Sequence, residues 1–353
     1  MKLLQRIRAL DASRRLDVMN KYIPAVLVEN QKDFGESSSG VCVDNTIIIG
    51  HIHSDLIDLM RINLDEGRDD NSFCDSFLFP PLLDDASTSS LTKRFFGLRV
   101  NEIPQGESPI ARTDARNAIL EQFTSLLLEC KVISKKHTDM YPVKDLRNDC
   151  EGEILAEINR SAAPFLGISS VGVHLLCYVR GDGTSRDDDT VCLWLAQRAA
   201  NKSHNALRWD PTVAGGQPAS LSLFDNLVKE AGEEAGIDPC VVARNAVSTG
   251  CLSQMTCKPN GACMKPSLYY TWDMQVGSNF VPHPADGEVA KFQLFSAKEL
   301  EHEVRNGDRL RPAMILVVTD FLIRHGVITP DNEPDYAQIL AAMHRERLIL
   351  DYQ

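Results

Sequence analysis

The spacing of apolar residues divides the chain into segments of predicted strand and helix. In the C-terminal half, residues 172–179 (GVHLLCYV) and 190–197 (TVCLWLAQ) are short runs rich in aliphatic and β-branched residues, which predict strands. Within residues 215–237, apolar side chains instead recur every three or four positions, which predicts an amphipathic helix. Further predicted elements are strands within 246–275 and at 290–295, a helix that starts with a capping box at Ser296, and helices over 312–325 and 336–345. This alternation is typical of an α/β fold.

The N-terminal half predicts a second, smaller α+β domain. Its predicted elements are a helix over residues 1 to about 30 with Leu3, Ile7 and Leu10 inward, a strand pair over 41–52, helices over 54–62, 115–130 and 151–162, and a strand over 95–100. The stretch from about residue 65 to 93 is acidic and rich in serine and proline, so we predict a surface insertion there. We place the boundary between the domains near residue 165, giving domains 1–165 and 166–353.

Composition narrows the classes of function. The chain has 353 residues, of which 43% are hydrophobic, and this is enough for packed cores in two domains. Its net charge of −12 argues against nucleic acid or a membrane surface as a partner, because both attract basic proteins. The ten cysteines include no C-x-x-C pair, so we expect reduced thiols rather than a zinc site. We predict a cytoplasmic protein, with a mitochondrial location as the alternative; the oligomeric state is left open.

The acidic segment within the predicted amphipathic helix carries the candidate chemistry. Glu230, Glu233 and Glu234 stand at i, i+3 and i+4, which places three carboxylates on one helix face. Their mutual repulsion would be relieved by a divalent cation, and all-oxygen ligands suit Mg²⁺, with Mn²⁺ as an alternative. A solvated acidic helix face is the competing interpretation of the three glutamates alone.

The residues around these glutamates favour the metal site. Gly215-Gly216 precedes the helix, and the segment from Lys229 to Ile237 reads KEAGEEAGI. It resembles the Nudix box, whose tail is Arg-Glu-apolar-any-Glu-Glu-any-Gly-apolar. Two positions depart from the family pattern: Lys229 replaces the arginine and Leu221 replaces an earlier glutamate, for which Asp225 is a candidate substitute.

The order of further segments resembles the Nudix branch related to thiamine pyrophosphokinase. These segments are Gly172-Val173-His174, Leu193 to Arg198, Lys202, Asp210 to Gly216, Asp225 to Glu230, and Asp286 to Val289. In that branch, lysine at position 229 and an acidic residue at position 225 are typical. The resemblance implies an α/β/α sandwich with a mixed sheet, preceded by a small N-terminal domain. It also implies hydrolysis of a diphosphate linkage in a small-molecule substrate, namely thiamine diphosphate or its oxidised (oxy and oxo) analogues, to the monophosphate.

The resemblance also assigns roles to residues. Glu230 and Glu234 are expected to bind Mg²⁺, with Glu233 as a third ligand or as a partner of the other two, and with the carbonyl of Gly215 or Gly216 as a further ligand. Glu288 is the candidate for an additional ligand or catalytic base, with an ordinary acidic turn as the alternative. Arg198 and Lys202 are candidate diphosphate ligands, with a solvated basic strand end as the alternative. Lys229 lies beside the glutamates, where it would orient one of them.

Several alternatives stay open at this stage. His174 is predicted as a core histidine rather than a catalyst. Trp194, Tyr269 and Tyr270 either stack on a substrate ring or pack in the core. The substrate is alternatively a nucleoside diphosphate derivative of the ADP-ribose or CoA type, and the loss of a glutamate at Leu221 leaves a non-catalytic binding module as the rival class. A pyrophosphokinase is not supported, because no G-x-x-x-x-G-K-[ST] loop occurs in the sequence.

Overall fold

The structure, a computed structural model, describes most of the chain in ten ranges. These are residues 2–9, 22–28, 47–67, 77–78, 96–100, 108–144, 154–181, 191–202, 204–257 and 263–344. The chain divides into two compact units. The first unit consists of Met1–Ala12, Val171–Thr256 and Ser267–Leu348, and the second of Ser13–Ser170, Cys257–Pro266 and Ile349–Gln353.

Strands and helices alternate along the described residues. The strands are β1 (Tyr22–Val28), β2 (Ile47–His53), β3 (Phe77–Leu78), β4 (Phe96–Arg99), β5 (Met140–Val143), β6 (Ala156–Asn159), β7 (Ser170–Arg180), β8 (Val191–Arg198), β9 (Trp209–Pro211), β10 (Val213–Gly216), β11 (Val247–Cys257), β12 (Met264–Gln275) and β13 (Val289–Ser296). The helices are α1 (Leu3–Ala9), α2 (Ser54–Gly67), α3 (Pro109–Glu129), α4 (Leu223–Ala235), α5 (Pro239–Asn245), α6 (Ala297–Arg305), α7 (Met314–Arg324) and α8 (Tyr336–Met343).

The second unit contains a four-stranded mixed sheet in the order β2-β1-β4-β3 and a two-stranded sheet of β5 and β6. Strand β1 runs antiparallel to β2 and parallel to β4. The long helix α3 starts at the N-cap Ser108 and buries Ile119, Phe123 and Leu127 in the core of this unit. The predicted helices over 54–62 and 115–130 and the strand over 95–100 are confirmed, with adjusted ends.

Two helix predictions in this half are wrong because pairing with other strands overrides local pattern. The predicted helix over residues 1–30 ends at Ala9, and Tyr22–Val28 is a strand whose Pro24 disfavours a helix interior. The predicted strand pair over 41–52 is a single strand where the structure describes it, from residue 47, and residues 41–46 lie outside the described ranges. The second wrong prediction is the helix over 151–162, which contains β6. In the predicted surface insertion, the described residues include Phe77 of β3, which is buried. Residues 68–76 and 79–93 of that insertion lie outside the described ranges.

The first unit is built on a seven-stranded sheet with helices on both faces. Strands β11-β12-β7-β8-β13 form its main path, while β10 pairs with β7 and β9 pairs with β8. Strand β9 pairs antiparallel with β8, and a parallel bridge joins its residue Trp209 to Leu310. One core holds residues of α1, α6, α7 and α8 against this sheet, and the other holds residues of α4 and α5. The predicted α/β class is confirmed.

A fork between β7 and β8 creates the place for the candidate site. The two strands pair from Tyr178 to Arg180 and then separate, so that β9 and β10 lie between them. Thr212 stands at the fork, fully buried, where its hydroxyl donates to the carbonyl of Trp194 at 2.7 Å and accepts from the N–H of Cys177 at 2.9 Å. The Thr212 side chain thus joins both arms of the fork just before Gly215 and Gly216.

The N-terminal helix belongs to the first unit, which differs from the predicted domain of residues 1–165. Leu3, Leu4 and Ile7 are buried in the core that contains α6, α7 and α8. The guanidinium of Arg6 donates to the carbonyl of Glu303 at 2.8 Å, at the end of α6. Helix α1 therefore completes the core of the first unit. Within the described residues, no helix is both long enough and apolar enough to span a membrane.

Candidate active site

Helix α4 carries the glutamates, and its ends are fixed by local sequence. Ser222 is the N-cap, and its hydroxyl accepts the N–H of Asp225 at 3.1 Å. Gly236 ends the helix with φ of 62°, in the left-handed region that glycine adopts without strain. Between these ends, Leu227 and Ala231 are fully buried against the sheet. The predicted amphipathic helix is thus present, and it orients its acidic residues away from that core.

The three glutamates occupy different environments although they share one helix. Glu234 is buried, and its carboxylate accepts the N–H of Ala214 at 2.8 Å. Glu230 is largely buried, with 18% of its side chain exposed, whereas the side chain of Glu233 is half exposed. The helical spacing therefore arranges the carboxylates in order of increasing exposure, with Glu234 the innermost.

Burial changes the acidity of the two inner glutamates. Loss of solvent raises the pKa of Glu234 to about 8, and the hydrogen bond from Ala214 acts in the opposite direction. Burial also raises the pKa of Glu230, against the lowering effect of Lys229. Carboxyl groups with raised pKa values in a cleft are typical of functional sites.

Gly215 is required by the packing of Glu230. A Cβ atom at position 215 would lie 2.2 Å from Cγ of Glu230, so only glycine lets that side chain pass over the strand. The arrangement brings the Glu230 side chain against the backbone of β10, beside the segment that binds Glu234. Gly215 and Glu230, both predicted as site residues, are therefore brought into contact.

One pocket brings together four of the predicted site residues. Arg198, Lys202, Glu234 and Glu288 all contribute to its wall, although they come from β8, the loop after it, α4 and the loop before β13. The complete lining is Ala196, Arg198, Lys202, Asp210, Pro211, Ala214, Glu234, Glu288 and Val289. Both signs of charge converge here, as a site for a metal-bound anion requires.

Lys202 and Glu288 form an ion pair in this pocket. The loop that carries Glu288 is held by two backbone contacts: the N–H of Glu288 donates to the side chain of Asp286 at 2.7 Å, and its carbonyl accepts the N–H of Ala199 at 2.9 Å. The exposed Glu288 carboxylate is thus kept at the end of β8.

Lys229 contacts glutamates rather than lining the pocket. Its ammonium lies 2.6 Å from Glu233 and 3.4 Å from Glu230, and the hydrogen bond to Glu233 raises the pKa of Lys229. Asp225, the predicted substitute for the missing glutamate at Leu221, is exposed and accepts the hydroxyl of Ser222 at 2.6 Å. In the structure, the Asp225 carboxylate therefore takes part in capping α4.

Asp210 and Arg311 are residues that sequence reasoning did not identify. Asp210 is buried in the pocket wall, where one carboxylate oxygen accepts Arg198 at 2.9 Å and the other accepts Arg311. Asp210 lies in β9, the short strand before the glycine-containing β10, and its place at the start of the segment from Asp210 to Gly216 was its signal in the sequence. Arg311 lies far downstream, before α7, and reaches the site only because its backbone pairs with Trp209.

The aromatic and imidazole candidates pack in the core. His174 is buried beside Tyr269, with ring centroids 5.4 Å apart, and burial lowers the pKa of His174 to about 3. Trp194 and Tyr270 pack against the core that contains α4. The neutral imidazole of His174 agrees with the prediction of a core histidine.

The site offers carboxylate oxygens, the type of ligand that Mg²⁺ prefers. In the ranges that the structure describes, no three His, Cys, Asp or Glu side chains are close enough to hold a metal ion together. Mg²⁺ is nevertheless usually bound by one or two carboxylates, waters and substrate phosphates rather than by a full protein cage. The inner carboxylates of Glu230 and Glu234, next to the Gly215 backbone, supply that type of oxygen ligand.

Comparison with known proteins identifies similar sequences. No protein-family model matches the chain. Nudix hydrolase 24, chloroplastic, of Arabidopsis thaliana is 34% identical over 208 residues, which cover 59% of this chain and 53% of that protein. Nudix hydrolase 20, chloroplastic, of the same plant is 31% identical over 223 residues, which cover 63% of this chain and 56% of that protein.

One solved structure among those similar to the chain is the NUDIX domain of Shewanella oneidensis NrtR complexed with ADP ribose. The structural alignment covers 44% of this chain and 88% of the NrtR domain, with a sequence identity of 11% and a TM-score of 0.33. The chain spans about half the length of the curated relatives it matches. The names of the two plant relatives support the Nudix hydrolase family for the segment of this chain that they match.

Proposed function

We propose that this chain is a Mg²⁺-dependent Nudix pyrophosphatase that hydrolyses a diphosphate linkage in a small molecule. The observation that carries the proposal is the pocket in which the buried carboxyl of Glu234 lies with Arg198, Lys202 and Glu288. Acidic groups suited to a cation and basic groups suited to phosphate are thereby present in one cleft. The sequence similarity to plant Nudix hydrolases supports the same family.

The residues proposed to hold the cation are Glu230, Glu234 and the carbonyl of Gly215, with Glu233 as a further ligand. Mn²⁺ would fit the same oxygen donors. When bound, the cation would neutralise phosphate oxygens and lower the pKa of a coordinated water. Glu233 is at present held by Lys229, so that Lys229 orients this glutamate at the rim of the site.

The chain's own groups then bind and orient the diphosphate. Arg198 and Lys202 present guanidinium and ammonium donors to phosphate oxygens, and Asp210 fixes the orientation of Arg198. Glu288 is the candidate base, because its exposed carboxylate lines the same pocket as the buried Glu234 and would accept a proton from the attacking water. Substrate phosphate would compete with the Glu288 carboxylate for the ammonium of Lys202.

The finer proposal concerns the substrate. We infer thiamine diphosphate or its oxidised analogues, with the monophosphate as product, from the resemblance of the ordered segments to the branch related to thiamine pyrophosphokinase. A nucleoside diphosphate derivative such as ADP-ribose or CoA is the alternative substrate class. A cytoplasmic location and the absence of nucleic-acid and membrane partners stay predictions.

A substrate panel tests this proposal. We expect the purified chain with Mg²⁺ to hydrolyse oxythiamine diphosphate and thiamine diphosphate at least about tenfold faster, by kcat/KM, than ADP-ribose, CoA and dinucleoside polyphosphates. Phosphate release and product mass would be followed, with EDTA as the metal control.

The outcomes of the panel separate the classes of function. A clear preference for ADP-ribose would overturn the thiamine assignment and keep the pyrophosphatase. No hydrolysis of any member of the panel, together with binding of one of them, would favour the non-catalytic binding module.

A further inference from the structure

Arg311 has unused hydrogen-bonding capacity next to the pocket. Its Nε donates to Asp210, but its terminal nitrogens have no hydrogen-bond or ion-pair partner among the residues that the structure describes. The side chain is half-buried, with 22% of its surface exposed. A guanidinium carries four N–H donors on these terminal nitrogens and cannot lose its charge at neutral pH.

Two guanidinium groups share the carboxylate of Asp210. One of its oxygens accepts Arg198 and the other accepts Arg311. Glu234 also acts electrostatically on Arg311, but its carboxylate accepts the backbone N–H of Ala214, and the described residues show no ion pair between Glu234 and either arginine. Neither arginine therefore has a carboxylate to itself, and a bound anion would add charge-assisted hydrogen bonds to both.

The backbone around Arg311 is fixed in place. The N–H of Arg311 donates to the carbonyl of Trp209, and the N–H of Trp209 donates to the carbonyl of Arg309, both at 2.9 Å. The next residue after Trp209 is Asp210, so the same strand that contributes the pocket wall also anchors the arginine. A donor held at both its backbone and its Nε loses little conformational entropy when it binds a ligand.

We propose that Arg311 is a further substrate-binding residue, whose terminal N–H groups bind a phosphate oxygen of the diphosphate. The proposal rests on the proposed function for the identity of the substrate. In it, Asp210 is a positioning residue that holds Arg198 and Arg311 on its two oxygens and so aligns two guanidinium groups with one anion.

The test uses inorganic pyrophosphate as the probe, with EDTA present, so that binding is measured apart from hydrolysis. We expect Arg311→Gln to weaken pyrophosphate binding at least about tenfold by calorimetry, as loss of charge-assisted hydrogen bonds implies. Arg311→Lys, which keeps the charge but loses the planar fork, should weaken binding at least about threefold.

Arg309→Gln is the matched control, because Arg309 lies two residues away and its Nε is likewise held by a buried carboxylate, that of Glu303. It should change the pyrophosphate Kd less than about twofold. Wild-type binding that is undetectable, or a Kd for Arg311→Gln within about twofold of wild type, would overturn the proposal. An equal loss in Arg309→Gln would do the same.

Thermal melting separates a binding role from a structural one. If Arg311→Gln does not fold, the Arg311→Lys result decides, and an unchanged Kd in that variant contradicts the proposal. If the wild-type chain hydrolyses nothing in the substrate panel but Arg311→Gln still loses pyrophosphate binding, the proposed function fails and the anion site at Arg311 stands.

Discussion

At the residue scale, the identity of a carboxylate matters less than its surroundings. Glu230, Glu233 and Glu234 have the same chemistry, but Glu234 is the most buried of the three, and Glu230 packs against Gly215. Helical spacing predicts that all three share a face. The difference in burial arises from β10, whose Ala214 donates to Glu234 and whose Gly215 leaves room for Glu230.

The first prediction concerns Gly215→Ala. The new Cβ would collide with Cγ of Glu230 and force that carboxylate to move, so we expect metal-dependent hydrolysis to fall at least about tenfold. Thermal melting of Gly215→Ala checks separately that the variant is folded. Gly277→Ala is the control, since a Cβ there meets nothing within 4 Å. Equal activity of the two variants would refute the role of Gly215.

Part of the site was predictable at this scale and part was not. Arg198, Lys202, Glu234 and Glu288 were singled out from the sequence, and the structure brings them to one pocket. Arg311 was missed because nothing in its local sequence distinguishes it from other arginines. Arg311 lies near Asp210 because its backbone pairs with Trp209. The two residues are far apart in sequence, so local pattern does not predict this pairing.

At the element scale, α4 was predictable because its own sequence determines it. The N-cap Ser222, the C-terminal Gly236 and the apolar spacing between them all favour the same helix. Strands β1 and β6 were assigned to helices because their residues become strands only through distant partners. The fork between β7 and β8 also depends on distant partners, since Thr212 bonds to Cys177 of β7 and Trp194 of β8, both well before it in sequence.

A second prediction follows for Thr212→Val. This change keeps the shape but leaves the N–H of Cys177 and the carbonyl of Trp194 without their buried partner, so we expect a loss of about 3 kcal/mol in the free energy of unfolding. Denaturant unfolding monitored by circular dichroism measures it.

Thr319→Val provides the control for the fork. Thr319 is also fully buried, but its hydroxyl has no hydrogen-bond partner among the residues that the structure describes, so its removal should be neutral or stabilising. If Thr212→Val were as stable as Thr319→Val, the fork would not depend on the Thr212 hydroxyl.

At the scale of the whole molecule, the two compact units draw on segments that are far apart in sequence. Residues 1–12 join the first unit and residues 257–266 join the second, so a single cut near residue 165 does not separate them. The α/β class and most elements of the first unit follow from local pattern. The assignment of residues 1–12 to the first unit does not follow from local pattern, because it depends on the packing of Leu3 and Ile7 in the core of that unit.

The central claim is that the acidic face of α4 supports metal-dependent hydrolysis of a diphosphate. The most direct test compares kcat/KM of wild type and Glu234→Gln with Mg²⁺, on whichever panel substrate the wild type cleaves fastest. Glutamine keeps the acceptor for the Ala214 N–H but cannot supply a carboxylate, so the fold should be preserved. Glu333→Gln, which removes a buried carboxylate that binds Arg305 outside the pocket, controls for buried charge. We predict a loss of at least about 100-fold in Glu234→Gln and less than about threefold in Glu333→Gln. Turnover by a folded Glu234→Gln protein within about threefold of wild type would contradict the account.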